Sequence, residues 1–287
     1  MLRNVRLIRL FAFPCLAGLF AFSSCEIINP EEEIPSYIHI DSIHLNTSDK
    51  PPYNITDAWV YVNDDLKGVY ELPATFPILA GGPNNVQIKP GIEMNGIALT
   101  RIPYPFFTAY ITSEDLIRDS VITINPETNP TGNVVWEEDF ENVGITLQAT
   151  SQSDTAAQRT DDPSIIFQGD GCGAFILYQN QNTFEAISSN TFAIPYNSSA
   201  IFLEIDYKCN NQFSVGIFAN SVSQSIQVAP SLVINPKAQW NKIYINLTQE
   251  INAQINALNY NIYFGILKDS GVDVAEVYVD NIKLIYL

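Results

Sequence analysis

Apolar and polar positions alternate with a period of two through most of the chain. In "AIFLEIDYKC", Ile201, Leu203, Ile205, Tyr207 and Cys209 share one face while Phe202, Glu204, Asp206 and Lys208 share the other. That is the pattern of a half-buried antiparallel strand with Cys209 on its core side. "AFILYQ", "FSVGIFA", "KIYINL", "NIYFGIL" and "AEVYVDNIKLIYL" repeat it. In the last of these the apolar parity moves from Val277 and Val279 to Ile282 and Leu284, which predicts a bend near Asp280. Only "TQEINAQINALN" departs, with Ile251, Ile255 and Leu258 at helical spacing, predicting one or two helical turns on a crossover. Earlier, "AWVYV" alternates and "NDDLKG" supplies turn residues before "VYEL", a hairpin pattern. Prolines at 51, 52, 73, 77, 83, 90, 103 and 105 exclude long helices there. The cluster "NPETNPTGN" breaks the periodicity. The pattern predicts an all-β chain of two β-sandwich domains, residues 37–127 and 135–287, joined by a linker at 128–134.

The N-terminal end follows a different pattern. Arg3, Arg6 and Arg9 precede an apolar stretch from Leu10 to Phe22, and Ser23 and Ser24 lead to Cys25. These are the parts of a secretory signal peptide spanning residues 1–24. The apolar stretch is too short for a retained spanning helix, which needs about 20 residues. "FSSC" resembles the lipobox of bacterial lipoproteins, which implies lipidation of Cys25 and attachment to a membrane. "EIINPEEEIPS" then reads as an extended acidic tether, residues 25–36 including the cysteine. An acidic stretch in that place resembles the surface-export signal of Bacteroidetes lipoproteins, and implies an outer-membrane location, with the surface and periplasmic sides both open.

Composition narrows the functional classes. The 287 residues carry 14 Lys and Arg against 31 Asp and Glu, a net charge of −17. No basic face is available for nucleic acid. His39 and His44 are the two histidines, and their spacing sets them on opposite faces of a strand, so they do not chelate one metal together. No HExxH, GxSxG or P-loop pattern is present. Glu204 and Asp206 lie side by side on one strand face, where a solvated surface is expected rather than a glycosidase pair drawn from different strands. A non-catalytic protein is predicted. Once Cys15 leaves with the signal peptide and Cys25 takes lipid, Cys172 and Cys209 remain. In an exported protein they form either a disulfide or two separate buried thiols.

In "QWNKIYINL", Ile243, Ile245 and Leu247 take one strand face and leave Trp240, Lys242 and Tyr244 on the other. Sugar rings stack on such aromatic pairs while polar neighbours meet the hydroxyls. The trio is therefore either a glycan platform or a second small core beneath a covering segment.

Two family resemblances extend this reading. "DAWVYVNDDLKGVYELPATFPILAGGPNNVQIKPGI" resembles a PEGA-type domain, a small β-domain of structural or binding proteins. "WEEDFENVG", "FQGDGCGAF", "QWNKIYINL", "NIYFGI" and "VYVDNIKLI", in that order, resemble the jelly-roll domains of carbohydrate-binding modules and galactose-binding-like proteins. The second resemblance implies a C-terminal jelly roll and glycan or cell-surface binding. It also implies a structural calcium at Glu141 and Asp280, with Asp139 and Asp170 as helpers. Equally open is a solvated Glu141 and an Asp280 that caps the bend. The functional expectation is a membrane-anchored, non-catalytic binding module. The alternative is a structural or adaptor subunit of an envelope protein assembly.

Overall fold

The computed structural model describes residues 32–46, 53–228 and 232–287. The signal peptide, Cys25 and most of the acidic tether lie outside the described residues.

The first half contributes ten strands: β1 (Ser36–Ile40), β2 (His44–Leu45), β3 (Asp57–Val62), β4 (Asp65–Glu71), β5 (Ala74–Ile78), β6 (Gly82–Glu93), β7 (Arg101–Pro103), β8 (Tyr110–Leu116), β9 (Val121–Thr123) and β10 (Glu127–Thr128). The β3–β4 hairpin closes where the sequence predicts, through Asn63 and Asp64. Both take positive φ, as a tight hairpin turn requires. A three-stranded sheet, β5-β1-β9, packs on a second sheet ordered β4-β3-β6-β7, with β8 also pairing β6. Alternate residues meet between them: Ile38 and Ile40 from β1, Ala58, Val60 and Val62 from β3, Val86 and Ile88 from β6.

The second half contributes β11 (Asn133–Glu138), β12 (Leu147–Ala149), β13 (Gln158–Thr160), β14 (Cys172–Leu177), β15 (Thr183–Ser188), β16 (Ile201–Cys209), β17 (Phe213–Asn220), β18 (Ser225–Gln227), β19 (Leu232–Ile234), β20 (Lys237–Asn246), β21 (Asn259–Leu267) and β22 (Ala275–Tyr286). One sheet runs β13-β14-β22-β16-β20, with β11 also on β22. The other runs β12-β15-β21-β17-β18, with β19 also on β17. Their inner faces enclose one large core that takes Ile201, Leu203, Ile205, Tyr207 and Cys209 from β16. This is the all-β jelly-roll sandwich expected. The helical segment is a single turn, α1 (Thr248–Asn252). Ile251 is buried at its end, whereas Ile255 and Leu258 are exposed. The predicted bend in β22 is present: Asn281 has positive φ, and the β16–β22 register shifts between Glu204 and Asp206.

The strand pairings divide into those two groups, but the groups are packed on each other. Ile92, Tyr104, Phe106 and Phe107 from the first meet Ala200, Phe202, Tyr244 and Ile285 from the second in a shared apolar cluster. A backbone bridge joins Met94 to Tyr244, and the Asn95 amide donates to the Tyr244 carbonyl at 2.8 Å. The outer face of β16 is therefore not solvated. Phe202, Glu204 and Asp206 are buried on the side away from the sandwich core. Among the described residues, no helix is long and apolar enough to cross a membrane.

Candidate functional site

The face that carries Trp240, Lys242 and Tyr244 is covered, so the exposed glycan platform does not form. Tyr244 is 1% exposed and its ring lies 4.8 Å from that of Tyr104. Its hydroxyl accepts the Asn54 amide at 3.1 Å. Trp240 stacks on Phe167 at 5.0 Å and donates its indole N–H to the Ile165 carbonyl at 3.0 Å. A loop on one side and the N-terminal domain on the other thus turn the trio into a second core.

Lys242 is the polar centre of that core. Its Nζ lies 3.3 Å from Glu204 Oε2 and 3.4 Å from Asp206 Oδ2. The Tyr104 hydroxyl, one hundred positions away in sequence, donates to Glu204 Oε1 at 2.6 Å. Asn281 Nδ2 donates to Asp206 Oδ2 at 3.1 Å. Burial raises the Asp206 carboxyl against the pull of Lys242. Burial, and after it the charge of Glu204, holds the Tyr104 phenol well above its ordinary range. A buried ion set of this kind persists because each member has partners, and removing one leaves an uncompensated charge.

A cleft of about 420 Å³ opens beside this cluster, between β11, the end of β22 and the loop before β14. Lys242, Asn281 and Lys283 line it together with Glu137, Asp139, Glu141, Gln168 and Gly169. Lys283 Nζ pairs with Glu137 Oε1 at 3.4 Å and lies 5.7 Å from the centre of the Tyr53 ring. A smaller hollow of about 230 Å³, lined by Tyr53, Phe106 and Val134 among others, adjoins it through Lys283. The cleft thus presents both hydrogen-bond donors and carboxylate acceptors. Its residues were partly legible: after the bend at Asp280, Asn281 and Lys283 fall on the outward parity of "DNIKLIYL". The contribution of Tyr53 and Tyr104 carries no local signal.

The carboxylates expected to hold calcium are in part held by backbone amides, while Asp280 Oδ2 is buried without a hydrogen-bond partner. Among the described residues no group of three or more Asp, Glu, His or Cys side chains converges as a metal site. Both Glu141 oxygens accept the Asp170 amide, at 3.0 and 2.9 Å. Asp139 Oδ1 accepts the Glu141 amide at 3.1 Å. Asp280 is 1% exposed, and its Oδ1 accepts the Asn281 amide at 2.8 Å, the bend-capping role. Burial, with Asp206, Glu141 and Asp139 nearby, pushes the Asp280 carboxyl up to about 7.

The disulfide expectation is also corrected, in favour of two buried thiols. Cys172 and Cys209 are both free. β22 lies between their strands, which separates them by two strand spacings, about 10 Å. They also face opposite sides of the sheet, Cys209 in the sandwich core and Cys172 against Ala174 and Tyr278. No disulfide spans such an arrangement.

The second sheet has its own outward aromatics. Phe218 and Tyr263 meet edge-on at 6.0 Å, and Tyr263 lies so close over Gly265 that a Cβ there would fall 2.0 Å from its hydroxyl. Tyr263 is 8% exposed, so little of its ring is open.

Several solved structures are similar to part of this chain. The enzymatically active domain of bacteriophage CBA120 tailspike protein 4 superposes with a TM-score of 0.40 at 12% identity, covering 52% of this chain and 20% of that one. A CBM22 xylan-binding domain from Paenibacillus barcinonensis gives 0.39 at 11% identity, covering 53% of this chain and 99% of its own. A family 11 carbohydrate-binding module from Clostridium thermocellum gives 0.37 at 13% identity, covering 54% and 97%. No family model matches the sequence, and no curated protein matches it.

Proposed function

We propose that this chain is a non-catalytic recognition module for glycan, bound at this cleft of the C-terminal sandwich rather than on Trp240 and Tyr244. The observation that carries this reading is the cleft of about 420 Å³, whose lining includes Lys283, Asn281 and Gln168 as well as Glu137, Asp139 and Glu141. Its volume lies within the range of small-ligand sites. Hydroxyl groups both donate and accept, so a polyhydroxylated ligand can use both kinds of polar group in it.

A glycan array followed by titration calorimetry tests this reading. Wild-type protein is expected to bind an oligosaccharide, and Gln168→Ala is expected to weaken it about tenfold. Loss of binding in Tyr263→Ala with Gln168→Ala unaffected would move the site to the second sheet. An array without binding removes the glycan reading altogether.

We further propose that Cys25 carries lipid and that the acidic tether holds the two domains off an outer membrane. The support is the order of charged, apolar and small residues that ends at Cys25. Two or more acyl chains make such an anchor stable. Cys25→Ser is expected to move the protein from the membrane to the soluble fraction; unchanged fractionation defeats the anchor.

A further inference from the structure

The loops that form the cleft's far wall meet around a side chain that the sequence reading did not single out. Arg159, on β13, donates Nε–H to the Phe140 carbonyl at 2.6 Å and Nη2–H to the Asp170 carbonyl at 2.6 Å. Phe140 is fully buried and has a positive φ, a conformation a phenylalanine adopts only when its surroundings hold it. Gly171 leaves room for the guanidinium, since a Cβ there would lie 2.5 Å from its carbon and two of its nitrogens. On the other side of the same junction, Glu141 holds the Asp170 amide. A Cβ on Gly169 would fall 1.8 Å from Glu141 Oε1, so glycine is required there too.

Backbone carbonyls and carboxylates are the oxygens a calcium ion gathers. Here two such carbonyls already face one guanidinium, a permanently charged planar fork that reaches both at once. We infer that Arg159 is the resident cation of this junction, fixing Asp139, Glu141, Gln168 and Gly169 along the cleft without a divalent metal. Arg159 is a positioning residue: it does not line the cleft, and it acts through Phe140 and Asp170. Metal independence stands apart from the glycan reading, whereas the effect on ligand affinity rests on it.

The test begins with the full chain, melted with and without EDTA and titrated with calcium in a calorimeter. The expected results are no binding heat and a melting temperature unchanged within about 1 °C. Arg159→Ala is expected to lower the melting temperature by about 5 °C, through loss of two charge-assisted hydrogen bonds. Millimolar methylguanidinium should restore part of that loss, and calcium should not. Arg159→Lys is expected to melt with the alanine variant, because one ammonium does not span both carbonyls. A wild-type protein that loses stability in EDTA and regains it with calcium overturns the inference, and so does an Arg159→Ala variant as stable as wild type. A failure of glycan binding alone leaves these melting results unchanged and counts only against the cleft's proposed ligand.

Discussion

Lys242 stands largely buried between two carboxylates, and its energetics follow from that. Lys242→Met removes the charge and keeps most of the apolar stem, but it leaves Glu204 and Asp206 unpaired. A loss of about 3–5 kcal/mol in denaturant unfolding is expected. Tyr104→Phe, which removes only the hydroxyl bonded to Glu204, should cost about 1–3 kcal/mol. Asp280 sets a pH dependence. Its folded pKa, about 7, lies above the ordinary carboxylate value of 3.8. The fold therefore favours the protonated form, and that contribution is complete below pH 3.8 and lost as the pH rises towards 7. Stability should fall between about pH 4 and 7, and Asp280→Asn should flatten that fall in urea melts across the range. Burial also pushes the Cys172 thiol up to about 12. Neither Cys172 nor Cys209 should react with a thiol reagent at pH 8 until the protein is unfolded, and unfolding without reductant should add two reactive thiols.

At the scale of elements, β16 and β22 explain what the sequence could and could not show. The inward parity of β16 was readable because Ile201, Leu203 and Ile205 recur with the pleat, and the bend in β22 was readable because Val279 and Ile282 cannot both point inward on a regular strand. The outward parity misled. Phe202, Glu204 and Asp206 read as a solvated face because polar residues interrupt it, yet Tyr104 and Phe106 cover it from about one hundred residues away. No local pattern marks such a cover. The same distance effect hid the site: Tyr244 has the parity of a platform residue, and only its contact with Met94 and Asn95 shows that it is a core residue. Hydrogen exchange tests this element-level account. Amides of β16, buried on both faces, should exchange more slowly than those of the short edge strands β12 and β18.

For the whole molecule, the junction joins two sandwiches, and a cleft lined by residues of the second opens beside it. The apolar cluster around Tyr104 and Tyr244, together with the buried ions behind it, makes separation of the halves costly. The central claim is that a glycan is recognised there. The most direct measurement is an amide chemical-shift map of the isotopically labelled protein titrated with the oligosaccharide that scores highest on an array. The account predicts shifts concentrated at Glu137, Asp139, Gln168, Gly169, Asn281 and Lys283. Shifts confined to Phe218, Asn261 and Tyr263 on the second sheet, or no shifts at saturating sugar, would contradict it.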